Sequence, residues 1–539
     1  MNLPIFRLSK LVKNRRFNYW ITIITFTVFT LSLVRFSQTQ LPLFKHNIDP
    51  GYEYLMNGVN LLHFQPPGHL DHPGFPLQIL IAITLKFVFI VRYTLVQNSN
   101  LALKNDFVLH SEIYATGVVT VLILIQVISV FYLCYRIYHL YYSWIVALYP
   151  ILILSNFEIL NFITTVRPES LLFSLTNILL ALFISYLQDN SLKRKIVSVS
   201  YMGLIIALGI LTKITFAPFL ILIFFLRPIK LKMIFALSFA SVLILLLVPI
   251  RSNLSPSWFI NILTNRGRHG TYVEPKDFSQ FINSIQDINN QVTPYFYLSL
   301  LSFAFFFLFR NSIDSLSWNI LTLTISLILV FSLLNFKDTS PQDFVSLTSI
   351  CSLIVVISLI EVGNLTFKFL SMKIFLVNYL LIFILIAHLF YSVLLSNHNL
   401  LQLQTRDSNH IKNSLYTKSG AYIISSFKVP TQFSALMFGN FYYGPGIVSD
   451  ELYSKYPRNI EFNIWDNQFY NARGNRLECH NFLGLLENSN EIFVIANSLE
   501  LFASKAGLSG YSIKLSQKGT MVDGWSIAQV DSIECKLGK

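Results

Sequence analysis

The sequence is poor in charged residues, which make up 12% of its 539 residues, and it has only four cysteines. Four scattered cysteines are too few for a disulfide scaffold or a zinc cage, although an external compartment would allow Cys479 and Cys535 to pair. The sequence has no Walker loop, dinucleotide fingerprint, GxSxG elbow or HExxH helix, and neither an internal repeat nor a low-complexity tract. No motif therefore supports nucleotide-dependent, serine-hydrolase or zinc-peptidase chemistry.

Hydrophobic residues are abundant, at 53% of the chain, and the mean hydropathy is +0.56. Long apolar runs recur through the first 396 residues, which is typical of a polytopic membrane protein. The net charge of +13 comes mostly from short basic clusters between these runs, as orientation in a bilayer requires. We therefore expect a membrane and no nucleic acid as partner.

Eleven apolar stretches predict transmembrane helices with a cytoplasmic N-terminus. They cover residues 17–34, 113–134, 141–157, 168–187, 196–212, 214–226, 232–250, 294–309, 315–334, 343–360 and 372–396. Residues 75–96 are left out because Lys86 and Arg92 interrupt them, so their longest uncharged run, 75–85, is too short to cross. An interfacial or half-inserted helix fits this segment better. It leaves five basic connections between the later spans in the cytoplasm, namely those at 136, 193–195, 227–232, 310 and 368–373.

The fold class that follows is a polytopic all-α membrane protein with a C-terminal soluble α/β domain. Residues 1–397 form the transmembrane domain, with external loops 35–112 and 251–292, and residues 398–539 form the extracytoplasmic domain. In the latter, short alternating or apolar runs interleave with helix-like stretches. The runs are 421–427, 434–439, 491–496, 511–516 and 525–530, and the helix-like stretches are 480–487 and 499–506.

A polar segment early in the chain contains DPGYEY, beginning at Asp49, and DHPGFP, beginning at Asp71. RPES around Glu169, GILTKITF around Lys213 and GRHGTY in the long loop follow it. In order and spacing, over about residues 15–350, these motifs resemble the polyprenyl-phosphate-sugar-dependent glycosyltransferases with the GT-C fold. That superfamily includes the protein O-mannosyltransferases and the lipid A aminoarabinose transferase, so the resemblance implies a GT-C-like fold.

The chain departs from the pattern of this superfamily at three points. Gly74 stands where the second proline of a Pro-Pro motif is usual, and Glu169 stands where aspartate is more common. Lys337 is followed by DTSPQDF and not by an Arg-Tyr pair.

The resemblance implies an integral membrane glycosyltransferase of a cell inner membrane. It would transfer a sugar from a polyprenyl-phosphate-linked donor to an acceptor hydroxyl on the extracytoplasmic face, with inversion. Because a lipid phosphate is already a good leaving group, one general base is enough, and Asp49 is the candidate. Asp49 could instead only cap the helix that begins near Tyr52. Whether the acceptor is a lipid, a glycan or a protein stays open, as does a reticulum location.

The other candidates would bind the donor or the acceptor. They are Glu53, Asp71, His72, Glu169, Lys213, Arg266, Arg268, His269 and Lys337. Lys213 and the arginines would offer positive charge to the departing phosphate. Alternatively, Lys213 could snorkel at a helix end, and the arginines could be attracted to anionic lipid headgroups. No cofactor is certain, although Asp71 and His72 with a third ligand from elsewhere in the chain, such as His269 or His63, would suit a divalent metal.

The leading alternative function is a transporter or flippase of lipid-linked sugars, which also needs charged groups within a helical bundle. The candidate side chains cluster in external loops and not at helix breaks in the middle of the membrane, which favours the enzyme. We expect the C-terminal domain to bind or select the acceptor.

Overall fold

The protein packs into two compact units, each assembled from separate stretches of chain. Unit 1 comprises Met1–Ser37, Asp71–Leu77 and Thr120–Asn397, and unit 2 comprises Gln38–Leu70, Gln78–Val119 and His398–Lys539. A computed structural model describes residues 15–39, 41, 43, 51–68, 74–96, 102–248, 315–334, 345–369, 421–425, 432–441, 446–463, 467–478, 482, 484, 491–496, 498–508, 511–516, 520–522 and 525–535.

The described part of the chain is mostly helical up to residue 369, and strands occur only after residue 420. The helices are α1 (Arg15–Thr39), α2 (Gly51–Leu62), α3 (Phe75–Val96), α4 (Leu103–Tyr141), α5 (Leu148–Leu154), α6 (Phe157–Ile163), α7 (Pro168–Gln188), α8 (Leu192–Thr212), α9 (Leu222–Phe225), α10 (Ile229–Leu247), α11 (Ser315–Leu334), α12 (Val345–Phe369), α13 (Gln432–Phe441), α14 (Ser449–Lys455) and α15 (Leu499–Leu508), with 3₁₀ helices at Trp144–Ala147 and Ile214–Ile221.

Among the described residues, five helices are long and apolar enough to cross a membrane: α3, α4, α7, α8 and α10. Shorter apolar stretches lie in α11 and α12. Together with the strands near the C-terminus, these helices confirm the predicted fold class, a polytopic helical membrane protein followed by an α/β region. The predicted spans 294–309 and 372–396 lie outside the described residues.

Two of the predicted spans are broken in the structure. The stretch predicted as one span over 141–157 forms a 3₁₀ helix followed by α5 and α6. Asn156 separates the last two, because its side chain accepts a hydrogen bond from the Ile159 N–H at 3.1 Å and caps a new helix. The stretch 214–226 forms a 3₁₀ helix with Pro218 inside it, followed by the four-residue α9. The length of an apolar run does not show where a helix breaks within that run.

Residues 75–96, predicted to be interfacial, form one unbroken helix, α3, that is long enough to cross a membrane. Lys86 and Arg92 lie within this helix, as the sequence indicated, and its placement at the interface stays a prediction. Helix α4 has 39 residues and is about 58 Å long, roughly twice a hydrocarbon core. It begins ten residues before the predicted span and includes a non-helical residue, His110.

The C-terminal region of unit 2 is built on a seven-stranded sheet. Its strands are β1 (Ala421–Ser425), β2 (Asn459–Asn463), β3 (Gln468–Asn471), β4 (Ile492–Ala496), β5 (Tyr511–Leu515), β6 (Thr520–Val522) and β7 (Trp525–Cys535). The order is β3-β2-β1-β4-β7-β5, and β6 pairs with β7. β1 is parallel to β2 and β4, whereas the other pairings are antiparallel. Phe462, Phe469 and Phe502 pack in its core.

The apolar run 434–439, predicted among the strand-like runs, is part of helix α13 instead. The reason is its packing within unit 2 against α2. Gly439 permits this approach, because a Cβ there would lie 2.7 Å from the Tyr52 carbonyl oxygen. Tertiary contact thus decides the conformation of a short run that local pattern leaves ambiguous.

Candidate functional site

A buried ion pair joins two helix ends in unit 1. The Nζ of Lys213 lies 2.8 Å from Oε1 of Glu169, and the two side chains are only 5% and 3% exposed. Both were candidates from the sequence, and 44 positions separate them. Ionisable groups enclosed by apolar helices are costly, so they usually mark a functional site.

Glu169 is held at the start of α7. Pro168 occupies the first turn, where its missing N–H costs nothing, and the carboxylate of Glu169 lies beside the positive end of the helix. The preceding turn is fixed by Ser170, whose hydroxyl donates to the Thr165 carbonyl at 2.6 Å. The Arg167 guanidinium lies over the Phe162 ring, 5.4 Å from its centroid.

Lys213 occupies the break between α8 and the following 3₁₀ helix, with extended backbone angles. The chain turns back so closely that a Cβ at Gly209 would lie 2.1 Å from the Phe216 ring. The carbonyl oxygen of Thr212, next to Lys213, accepts a hydrogen bond from the Gly74 N–H at 3.0 Å. Gly74 has a φ of +51°, a conformation that suits glycine, which accounts for this residue where a second proline was expected.

Three sequence motifs therefore meet in unit 1. DHPGFP contributes Gly74, RPES contributes Glu169 and GILTKITF contributes Lys213. The arrangement places a cation and a carboxylate together at the ends of helices. Such a pair can hold an anionic headgroup near the cation, while the carboxylate fixes the orientation of the ammonium.

Of the other predicted site residues, the structure describes only Glu53 and the possible metal ligand His63. Glu53 lies in α2 in unit 2 and is 1% exposed. Outside the described residues lie Asp49, Asp71, His72, Arg266, Arg268, His269, Lys337 and Cys479. Within the part of the chain that the structure describes, no three His, Cys, Asp or Glu side chains converge as metal ligands, and Asp71, His72 and His269 lie outside that part.

A second ion pair, in unit 2, was missed from the sequence. The Arg92 guanidinium donates to both oxygens of Asp106, at 2.8 and 2.9 Å, and the Tyr114 hydroxyl donates to Asp106 at 2.5 Å. The side chain of Asp106 is 1% exposed. Arg92 was treated only as an interruption of an apolar run, although an arginine there signals a buried partner.

A third polar group also lies in unit 2 and is called the Glu112 cluster. It comprises Leu43, Tyr52, Ser111, Glu112 and Gln432. Glu112 accepts hydrogen bonds from the Leu43 N–H at 2.7 Å and from the Tyr52 hydroxyl. Ser111 lies 3.1 Å from that hydroxyl and accepts from Gln432 Nε2 at 2.7 Å. Burial and the nearby Glu112 carboxylate raise the pKa of Tyr52 well above its usual value, so Tyr52 stays protonated.

Lys455 of α14 adjoins the Glu112 cluster. Its Nζ donates to the Val108 carbonyl at 2.8 Å and to Gln432 Oε1 at 3.3 Å. Burial lowers the pKa of Lys455 to about 8. In the sequence, Ser111 and Glu112 were assigned to an external loop because the apolar window begins after them.

The fold and these buried charges define a polytopic membrane protein with ionisable groups at helix ends and a C-terminal α/β region. No protein-family model and no curated protein matches the chain. Among solved structures, it is similar to the crystal structure of ArnT from Cupriavidus metallidurans in the apo state, at 11% identity and a TM-score of 0.46, over 94% of this chain and 97% of that chain.

Proposed function

We propose that the protein is an integral membrane glycosyltransferase of the GT-C type. It moves a sugar from a polyprenyl-phosphate donor to an acceptor hydroxyl on the extracytoplasmic face of an inner membrane. The observation that carries the proposal is the meeting of DHPGFP, RPES and GILTKITF around the buried pair of Lys213 and Glu169. Three stretches that resemble motifs of one superfamily lie far apart in the chain, yet Glu169 pairs with Lys213 and the Gly74 N–H bonds to the Thr212 carbonyl beside that pair.

The reaction needs one base and one source of positive charge. The acceptor oxygen attacks the anomeric carbon from the face opposite the phosphate, and its proton passes to the carboxylate of Asp49. The bond between the anomeric carbon and the phosphate oxygen breaks, and the polyprenyl phosphate leaves with the electron pair, so the configuration inverts. No acid has to protonate this leaving group.

Lys213 stabilises the negative charge of the departing phosphate. A cation with a 5% exposed side chain attracts an anion more strongly than it would in water, because the surrounding dielectric is low. Glu169 holds the ammonium at 2.8 Å and keeps it in one orientation. Glu169 is thus a positioning residue in this proposal.

The test is transfer from a panel of radiolabelled polyprenyl-phosphate sugars by the purified full-length protein, with release of lipid phosphate followed over time. We expect the Asp49→Asn variant to bind donor but to lose about 100- to 10,000-fold in rate, since a general base contributes that much. Asp450→Asn is the matched control, because the Asp450 side chain is 84% exposed.

Full transfer by Asp49→Asn would exclude Asp49 as the base. Donor binding without release from any sugar, equal in wild type and variant, would instead identify a transporter or flippase of lipid-linked sugars. Loss of transfer in Asp450→Asn as well would point to a general defect of aspartate substitutions and not to the base.

A further inference from the structure

The Glu112 carboxylate accepts hydrogen bonds from residues on both sides of Asp49 in the sequence. One oxygen accepts the N–H of Leu43, six residues before Asp49, and the other accepts the hydroxyl of Tyr52, three residues after it. A single carboxylate thus accepts hydrogen bonds from one described residue on each side of the proposed base. Tyr52 itself is fully buried.

The hydrogen bonds of the Glu112 cluster have one consistent direction. Tyr52 has one proton and donates it to Glu112, so Ser111 must donate to the Tyr52 oxygen. Ser111 in turn accepts from Gln432 Nε2. Each hydroxyl accepts one bond and donates one, and such chains strengthen their own members.

Gln432 is held on its other side by the C-terminal region. Its Oε1 accepts from Lys455 Nζ at 3.3 Å and from the Tyr456 hydroxyl at 3.2 Å, which fixes the orientation of the amide. The helix that carries Gln432 packs against the helix that carries Tyr52, with Gly439 at the close approach. Residues more than 300 positions apart are thereby connected.

We propose that Glu112 is a positioning residue for the reaction, and that Gln432 couples the C-terminal α/β region to it. The relay from Gln432 through Ser111 and Tyr52 to Glu112 holds the flanks of the segment that carries Asp49. This inference rests on the proposed function and deepens it. The C-terminal region then influences the rate of sugar transfer, in addition to the acceptor binding expected from the sequence.

The experiment measures kcat and the donor KM of the full-length protein carrying Glu112→Ala, Glu112→Gln or Gln432→Leu, with Asp49→Asn in parallel. Misplacing a reacting group by about 1 Å costs up to roughly 100-fold. We expect Glu112→Ala to lower kcat by about 10- to 100-fold with little change in KM, and Gln432→Leu to cause a smaller loss.

The conservative variant Glu112→Gln separates positioning from chemistry. Its amide oxygen can accept from the Leu43 N–H while its NH2 group donates to the Tyr52 oxygen, whose proton then turns to Ser111. Both contacts stay in place, so we expect Glu112→Gln to restore most of kcat. Glu500→Gln, on an exposed position of α15, is the matched control and should behave as wild type. If Glu112→Ala does not purify as a folded protein, Tyr52→Phe removes only one hydroxyl from the cluster and carries the same expectation of lower kcat.

Three outcomes overturn the inference. Wild-type kcat in Glu112→Ala, or in Tyr52→Phe where it replaces that variant, shows that the cluster does not position the base. A Glu112→Gln variant as slow as Glu112→Ala shows that the charge itself acts. A fall in donor affinity alone shows a binding role. Full activity of Asp49→Asn, by contrast, defeats the proposed base, whereas an inactive Asp49→Asn beside a fully active Glu112→Ala defeats only the positioning role.

Discussion

The ion pairs of unit 1 and unit 2 differ in the cation that faces the carboxylate. Asp106 in unit 2 receives two hydrogen bonds from Arg92 and a third from Tyr114. Glu169 in unit 1 is paired at 2.8 Å with a lysine, which is a point charge on a flexible stem. The guanidinium is 18% exposed, whereas both partners of the unit 1 pair are almost fully buried.

Under the proposed function, the unit 2 pair is structural and the unit 1 pair takes part in the reaction. A planar guanidinium that bridges both carboxylate oxygens fixes two chain segments and leaves little freedom. A lysine in a low-dielectric site gains less from geometry, and apolar side chains of similar volume would usually stabilise such a position better. A charged pair retained at Lys213 and Glu169 is what the proposed phosphate-binding role of Lys213 predicts.

The largest loss of stability and of transfer is expected when one partner of the unit 1 pair is removed. Lys213→Met leaves the Glu169 carboxylate buried without its cation, which costs about 3–5 kcal/mol of unfolding free energy. The measurement is reversible unfolding in mixed detergent, together with release of lipid phosphate. We expect both stability and transfer to fall.

The double substitution Lys213→Met with Glu169→Leu separates the two causes of that fall. It removes the stranded charge, so stability should return close to that of the wild type. Transfer should stay lost, because the cation for the phosphate is still missing. Recovery of transfer in the double variant would make the pair purely structural and would remove the contrast with Arg92 and Asp106.

A smaller effect is expected in unit 2. Asp106→Asn keeps the shape but loses one charge-assisted acceptor, and Arg92 can turn its exposed part toward solvent. We expect a loss of about 1–3 kcal/mol in unfolding free energy with unchanged kcat. Kinetics of transfer beside the same unfolding assay provide the check. A loss of kcat at wild-type stability would show that this pair also serves the reaction.

Much of the fold could be predicted from the sequence because apolar periodicity and length are local properties. The span predicted at 315–334 coincides with α11, and 168–187 differs from α7 by one residue at its end. Strand-like runs at 421–427 and 491–496 contain β1 and β4. These segments are long, strongly apolar or clearly bounded by polar residues.

The predictions were wrong where a single polar residue, or a contact between residues far apart in the sequence, determines the conformation. Asn156 starts a new helix inside an apolar run, and packing of α13 against α2 makes a helix of 434–439. The candidates Glu169 and Lys213 could be found from motifs, but their pairing could not, since 44 residues separate them. No local pattern connects Ser111 with Gln432, which are 321 positions apart.

The smallest expected effect tests whether the third donor matters to the unit 2 pair. Tyr114→Phe removes the hydroxyl that donates to Asp106 at 2.5 Å and keeps the buried ring. Asp106 retains both bonds from Arg92, so the carboxylate is still paired, and we expect a loss of about 1 kcal/mol in unfolding free energy. The same unfolding assay measures it, with Tyr201→Phe at an exposed position of α8 as the control. If Tyr114→Phe destabilised the protein as much as Asp106→Asn, the ring hydroxyl and not the guanidinium would dominate the pair. The distinction between a structural pair and the proposed functional pair would then have to rest on Lys213 and Glu169 alone.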